Sequence, residues 1–543
     1  MSLLRIFLLL YFTGFYISAQ NSHHVFPIEV ISNASKLAAD GSLERPWDLQ
    51  TALNHPETIK PGDTIYLHGG VYNGRYISKL KGAEDKRITV TAYNSEAVTL
   101  NGNVKSDQKG VLIVKAPFVD FVDFEITWLG NFSRDENDTD FESCPGLVHL
   151  SGVDCGFYNL RIHDNPGLGI GFWKHGGASI VENCLIYNNG FISKDGKGRG
   201  EGIYVQNLSD KVKYIRNNII YNNYYKGIEV WSAGKRRDYE FVKNITLKGN
   251  IIFNSGSPSP RYVDNVIVAS ADRNGINVAK NIILKDNILY HNTDNGNGKL
   301  IGDAASLTIG FNINAPVKNV TVEDNIIMGG YNGIRFLYAN SLSFKNNIIY
   351  SGNIQVGPAI KDYYKNWEFE NNIYYSHRKK PIRIPRVKDY NLGTWKSEFN
   401  LDRGSKVRPF SKLELDQVVR IAEHRLNRNM FNIVLFTEEF NPVELHISEI
   451  GNHLKIGQTY NIIDVENPDV ILKNGQISDT GMIEVPMDSK AFKKPLHNDR
   501  AVKTLRNLGV FQIEFFDKST SETIKTRSAF ERFFEWLGLF ESR

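Results

Sequence analysis

Two carboxylic acids in this chain, Glu201 and Glu229, stand in neighbouring copies of a repeated phrase. Glu201 opens Glu201-Gly202-Ile203-Tyr204-Val205-Gln206, and Lys226 opens the next copy, Lys226-Gly227-Ile228-Glu229-Val230-Trp231. A carboxyl pair on adjacent strands can divide the cleavage of a glycosidic bond. A neutral member protonates the leaving oxygen, and an ionised member activates water. Lys226 between them would hold one ionised while burial keeps the other protonated. One strand sideways and three residues along places their Cα atoms about 11 Å apart. From there flexible side chains reach the roughly 6 to 10 Å carboxyl separation of inverting glycosidases. The competing chemistry is proton abstraction beside a uronate carboxylate, with Lys226 or His149 as base and Arg335 neutralising the developing charge. Asp195 and Asp264 are reserve acids, and Asp164 beside His163 belongs to another corner.

These residues need strands to hold them. Gly169-Ile170-Gly171-Phe172-Trp173, the two phrases above, Val266-Ile267-Val268-Ala269-Ser270 and Gly333-Ile334-Arg335-Phe336-Leu337 share one register. With a period of two, their Ile and Val side chains point inward, and Tyr204, Glu229 and Arg335 point outward. Leu147-Val148-His149-Leu150 is expected to add His149 to that outward row, and Trp173, Gln206 and Trp231 form the next. Trp173, Tyr204 and Trp231 would be platforms for sugar rings, with Lys226, Arg199 and Arg335 meeting anionic groups. The longer repeats carry extra residues at 188–200, 254–264 and 291–305, just before this strand. Stacked in register, such insertions rise as a wall beside the strand face and make it the floor of a groove.

A second cadence sets the fold. Asn218-Ile219-Ile220-Tyr221, Asn250-Ile251-Ile252-Phe253, Asn287-Ile288-Leu289-Tyr290, Asn325-Ile326-Ile327-Met328, Asn347-Ile348-Ile349-Tyr350 and Asn372-Ile373-Tyr374-Tyr375 repeat one pattern, with weaker copies at Asn159 and Cys184. A unit of roughly 22 to 25 residues, lengthened in some turns, is a stacked repeat. It has room for about three short strands and no helix. That predicts an all-β parallel β-solenoid in which each lead Asn lies above the next in a hydrogen-bonded ladder.

Met1 to Ala19 has one Arg, an apolar run and small residues before Gln20, as in a secretory signal too short to span a membrane. The domains expected are a signal peptide (1–19), an N-terminal cap with the first strand (20–75), the β-helix (76–400), a linker helix (401–427) and a β-sandwich with an amphipathic tail (428–543). Three cysteines, Cys144, Cys155 and Cys184, allow one disulfide in an exported protein. Cys144–Cys155 is the plausible bridge, and Cys184, at a ladder position, reads as a small buried residue. The net charge of +4 is modest for 543 residues, yet Lys194, Lys197 and Arg199 share one loop and Lys235, Arg236 and Arg237 another. In an exported monomer this favours an anionic polysaccharide over nucleic acid. No cofactor is implied, and no motif supports calcium.

The opening phrases Asp40-Gly41-Ser42-Leu43-Glu44-Arg45-Pro46-Trp47 and Pro61-Gly62-Asp63-Thr64-Ile65-Tyr66-Leu67-His68-Gly69-Gly70 resemble the first segment of right-handed parallel β-helix proteins. In that resemblance Thr51 to His55 is a capping helix and Thr64 to Leu67 the first coil strand. Across its length the chain resembles carbohydrate-active β-helix enzymes: polygalacturonase-like hydrolases, pectate and alginate lyases, and endo-fucanases. The resemblance implies an exported enzyme acting on a polysaccharide, or a solenoid that only binds one. Neither a polygalacturonase-type Asp-Asp pair nor an alginate-lyase-type Asn-Gly-x-Glu motif is present to carry over.

Overall fold

The computed structural model describes residues 20–30, 39–232, 238–292, 304–412, 415–437, 440–505 and 507–517. The expected signal segment, the basic run 235–237, most of the 291–305 insertion and the aromatic C-terminal tail lie outside them. Three twelve-stranded sheets run the length of the solenoid. Sheet A begins with Ser22–Val25 and ends with Trp367–Glu370, sheet B runs from Gly70–Asn73 to Lys406–Arg408, and sheet C from Tyr76–Ser78 to Ile382–Ile384. Strands within each sheet pair in parallel, except that Lys388–Tyr390 turns back antiparallel to close sheet C. This is the parallel β-solenoid that the repeat predicts, with the right-handed β-helix form that the resemblance implies. The first coil is capped by a helix, Leu49–Leu53, whose N-cap Asp48 accepts from the Thr51 N–H. Among the described residues, no helix is long and apolar enough to cross a membrane.

Each coil turns from sheet A to sheet B through a left-handed residue followed by the ladder residue. Asn183, Asn217, Asp286, Asp324, Asn346 and Asn371 take this conformation, with φ between 55 and 58°, because short polar side chains tolerate it, and Gly249 supplies it at 70°. The following Asn side chains then stack as expected. Asn218 donates its backbone N–H and its amide to Asn250 Oδ1 at 3.1 and 3.0 Å, Asn250 does the same to Asn287, and Asn287 to Asn325. Cys184 takes a ladder place, its N–H donating to Asn218. A second ladder, Asn165–Asn189–Asn223, holds the corner between sheets B and C.

The cadence Asn-Ile-Ile-Tyr is apolar on both faces because both faces of sheet B are covered. Ile220 and its equivalents enter the solenoid core, while Ile219 and Tyr221 face outward into a second core shared with the C-terminal domain. Tyr187, Tyr221 and Phe253 stack there at 5.0 and 4.9 Å. The domain is a small β-sandwich, a five-stranded antiparallel sheet over a two-stranded one. Its inner face is Phe431, Ile433, Leu445, Ile483 and Ile513, and Val434, Phe436 and Val510 press against sheet B.

Two expectations fail here. The segment 401–427 is no helix: past a short turn at Phe410–Lys412, Val418–Glu423 is an edge strand paired with Met430–Phe436. Its β-branched residues serve two surfaces, Val418 and Ile421 toward the sandwich core and Val419 toward sheet B, a division that a bulge beside Val418 permits. Cys144 and Cys155 are free buried thiols. The strand Leu147–Ser151 lies between them in the chain, and Cys155 turns its sulfur to the Ala116 carbonyl.

Candidate active site

Strand register assigns the floor of sheet C. Gly171 pairs with Tyr204, Tyr204 with Glu229, Glu229 with Ile267, Ile267 with Thr308 and Thr308 with Arg335. Tyr204, Glu229 and Arg335 therefore share the outward row, as their spacing predicts. His149 does not. It pairs with Phe172, one place along, and falls in the inward row with Val205 and Val230. The strand Leu147–Ser151 carries Val148 opposite Gly171, so aligning His149 with the outward residues is a slip of one, which reverses a side chain's face. His149 is fully buried against Phe157 and Phe172, and burial, then the nearby Lys213 ammonium, pushes its pKa down to about 3. Lys213 is itself inside the core, donating to the Phe172 and Gln206 carbonyls at 3.2 and 2.9 Å.

Two residues before each sheet C strand runs a further row: Glu201, Lys226 and Asp264. This row and the outward row together form the charged centre. Lys226 Nζ meets Glu229 Oε1 at 2.5 Å. Burial opposes its charge, but the Glu229 carboxylate, with Tyr225 and Asp264, holds Lys226 above its ordinary value. The Glu201 carboxyl lies close enough to Glu229 for the two to interact. Burial first, then the adjacent Glu229 charge, raises Glu201 to about 8, so it is a neutral acid at physiological pH. The two carboxyls therefore interact across one coil step, the acid of one beside the charge of the other.

The cations are already spoken for. Arg335 bonds Asp264 at 2.6 Å and Thr308 at 2.9 Å, and Thr308 donates to the same Asp264 oxygen at 2.6 Å. Arg199 lies 3.4 Å from Asp195. Lys226, Arg335 and Arg199 therefore each stand beside a carboxylate of the chain itself, Arg199 in an exposed pair. With Glu201 neutral, the centre balances two cations, Lys226 and Arg335, against two anions, Glu229 and Asp264.

The aromatics surround this centre. Trp173 and Tyr204 lie 5.2 Å apart, both half-buried, and Trp231 stands edge-on to Phe311 at 5.0 Å. Lys226 sits 3.8 Å over Tyr225 and 5.9 Å from Trp231. Beside them the 188–200 insertion folds into a hairpin, Phe191–Ile192 with Gly198–Arg199. A longer insertion before the Leu147 strand, residues 128–146, braces it: the Glu136 N–H donates to the Ile192 carbonyl at 2.8 Å. Asp164 and His163 sit apart, bonded to Arg134 and Glu125.

A family model described as the right-handed β-helix region of Pel9A-like proteins matches residues 30–380. The chain belongs to the Pel9A-like right-handed β-helix family. Comparison with curated proteins finds no match. Solved structures similar to this Pel9A-like chain include pectate lyase Pel9A, 14% identical over 69% of this chain and 82% of its own, with a TM-score of 0.42. The GH136 lacto-N-biosidase from Eubacterium ramulus is 13% identical over 72% and 67%, at 0.43. The mannuronan C-5 epimerase AlgE4 A-module from Azotobacter vinelandii is 14% identical over 71% and 96%, at 0.43.

Within this site, Tyr225, Thr308, Phe311 and the 128–146 insertion escape the sequence reading, and Asp264 enters it only as a reserve. Counting two residues back from each strand would have found Asp264 beside Lys226. Phe311 comes from the corner that leaves sheet C, which carries no repeated motif.

The raised Glu201 has a consequence for stability. Between the ordinary carboxylate range and about pH 8 the fold keeps a proton that the unfolded chain releases. Its contribution is full at low pH and is lost as pH rises through about 8. Glu201→Gln cannot ionise, so between about pH 5 and 9 its melting temperature should fall several degrees less than that of the unaltered protein. Parallel falls in calorimetric scans would contradict a buried neutral Glu201.

Proposed function

We propose that this protein is an exported glycoside hydrolase that cleaves an anionic polysaccharide in the groove on sheet C. The observation that carries the reading is the Glu229 carboxyl held by Lys226 at 2.5 Å with Glu201, one coil earlier, buried beside it. In the resting site Glu201 keeps its proton beside Glu229. A glycosidic oxygen entering between them becomes the acceptor, and protonation of that oxygen releases the leaving sugar. Glu229 is then left facing the anomeric carbon as the carboxylate that stabilises or captures positive charge. Trp173, Tyr204 and Trp231 supply the faces on which sugar rings stack.

The lyase alternative needs an unprotonated base on the floor. His149 is in the core and Lys226 is paired with Glu229, which supports hydrolysis over proton abstraction by either of them. Digestion of a panel of algal and plant polysaccharides separates the two chemistries. A hydrolase gives new reducing ends without ultraviolet absorbance, and proton NMR of fresh product reads whether the anomer is retained or inverted. Products absorbing as unsaturated uronates would replace this reading with elimination.

A further inference from the structure

The charged centre is self-neutralised, so an anionic chain must find its cations elsewhere along the groove. The outward row continues past Arg335 to Gln355 and Arg383. There the sequence is Arg378-Lys379-Lys380-Pro381-Ile382-Arg383-Ile384-Pro385-Arg386-Val387-Lys388, six basic residues in eleven with no acid among them. A depression of about 430 Å³ opens at this end, lined by Asn332, Gln355, Arg383, Arg386, Lys388 and Asp389.

Some of these charges are matched. Arg383 bonds Asp389 at 3.0 Å, Lys388 bonds Glu398 at 2.9 Å, and Arg378 lies over the Tyr331 ring. Lys379, Lys380 and Arg386 are exposed and have no ion pair among the described residues. Lys380 stands two residues before its strand, the place that Glu201, Lys226 and Asp264 hold in earlier coils. Charges on the last strand of a sheet also discourage further strands from adding, which accounts for Lys388 on the antiparallel closing strand. That purpose does not account for Arg383 on the groove row, nor for Lys379 and Lys380 at the corner where the wall loops rise.

We propose that this basic hairpin is a distal subsite for the anionic groups, carboxylate or sulfate, of the polysaccharide lying in the groove. The proposal rests on the reading that sheet C holds that polymer. Five strand steps separate Glu229 from Arg383, about 24 Å along the axis. A chain spanning them reaches the cations with its charged groups while a bond several sugars away meets Glu201. The central charges then serve chemistry, and the hairpin serves affinity and register.

The test is affinity electrophoresis of Lys379→Ala/Lys380→Ala/Arg386→Ala in gels containing polygalacturonate, fucoidan or neutral galactomannan. None of the three side chains makes an ion pair, so the fold should be kept. The variant should bind one or both anionic polymers about tenfold more weakly than the unaltered protein. That difference should vanish near 0.5 M salt, with no change toward galactomannan. Loss toward polygalacturonate alone assigns a carboxylate, and toward fucoidan alone a sulfate. Equal retardation of variant and unaltered protein by both anionic polymers overturns the proposal, as does an equal loss in the neutral gel. The hydrolase reading fails separately: full turnover by Glu201→Gln would sink it while leaving the retardation measurements to stand.

Discussion

Glu201→Gln should cut polysaccharide turnover by about 10²- to 10⁴-fold, the usual worth of a positioned general acid, and leave KM nearly unchanged. The substitution keeps the shape beside Glu229 but has no proton to release. The loss should therefore fall on kcat, while the aromatic floor and distal cations continue to bind substrate. The unaltered enzyme should lose kcat as pH rises through about 8, where Glu201 gives up its proton. In a substrate whose leaving group needs no protonation, such as an activated aryl glycoside of the same sugar, the variant should recover most of its rate. A variant with full kcat on polymer, or one equally crippled on both substrates, would remove Glu201 from the acid's place.

The architecture was legible because a solenoid writes its period into the chain. The lead Asn of each coil, its apolar follower and its aromatic third recur because every coil repeats the same corner and the same two covered faces. The outward row of Tyr204, Glu229 and Arg335 was legible for the same reason. Two kinds of information were not written there. Absolute register in a coil of different length needs the strand pairing itself, and His149 went wrong by the single residue that reverses a face. Side-chain geometry across coils is also hidden: the burial of Glu201 beside Glu229 and the Asp264–Arg335 pair depend on rotamers and packing. The helix expected within 401–427 failed for another reason, visible in Leu415, Val418, Val419 and Ile421. Apolar residues that serve two different cores imitate one helical stripe, since a strand covered on both faces loses its polar alternation.

Asn287→Ala should be among the most destabilising substitutions in the solenoid, costing about 4 to 6 kcal/mol if its unmet groups stay dry. Asn287 Oδ1 accepts from both the N–H and the amide of Asn250 at 3.0 Å. Its own amide donates to the Leu247 carbonyl at 2.9 Å and to Asn325 at 3.0 Å. Alanine keeps its backbone N–H to Asn325 but leaves the two Asn250 donors and the Leu247 carbonyl without this partner in a buried corner, and an unpaired buried polar group costs about 1 to 3 kcal/mol. Methyl-for-amide exchange also leaves a void between stacked coils. Asn287→Asp tests the origin of the effect, since its carboxyl keeps an acceptor for Asn250 but must stay protonated to donate onward. Its deficit should therefore grow with pH, whereas that of the alanine variant should not. Chemical denaturation followed by tyrosine and tryptophan fluorescence gives both numbers. An alanine variant within about 1 kcal/mol of the unaltered protein would mean that apolar stacking alone, through Ile252, Leu289 and Ile327, holds the coils in register.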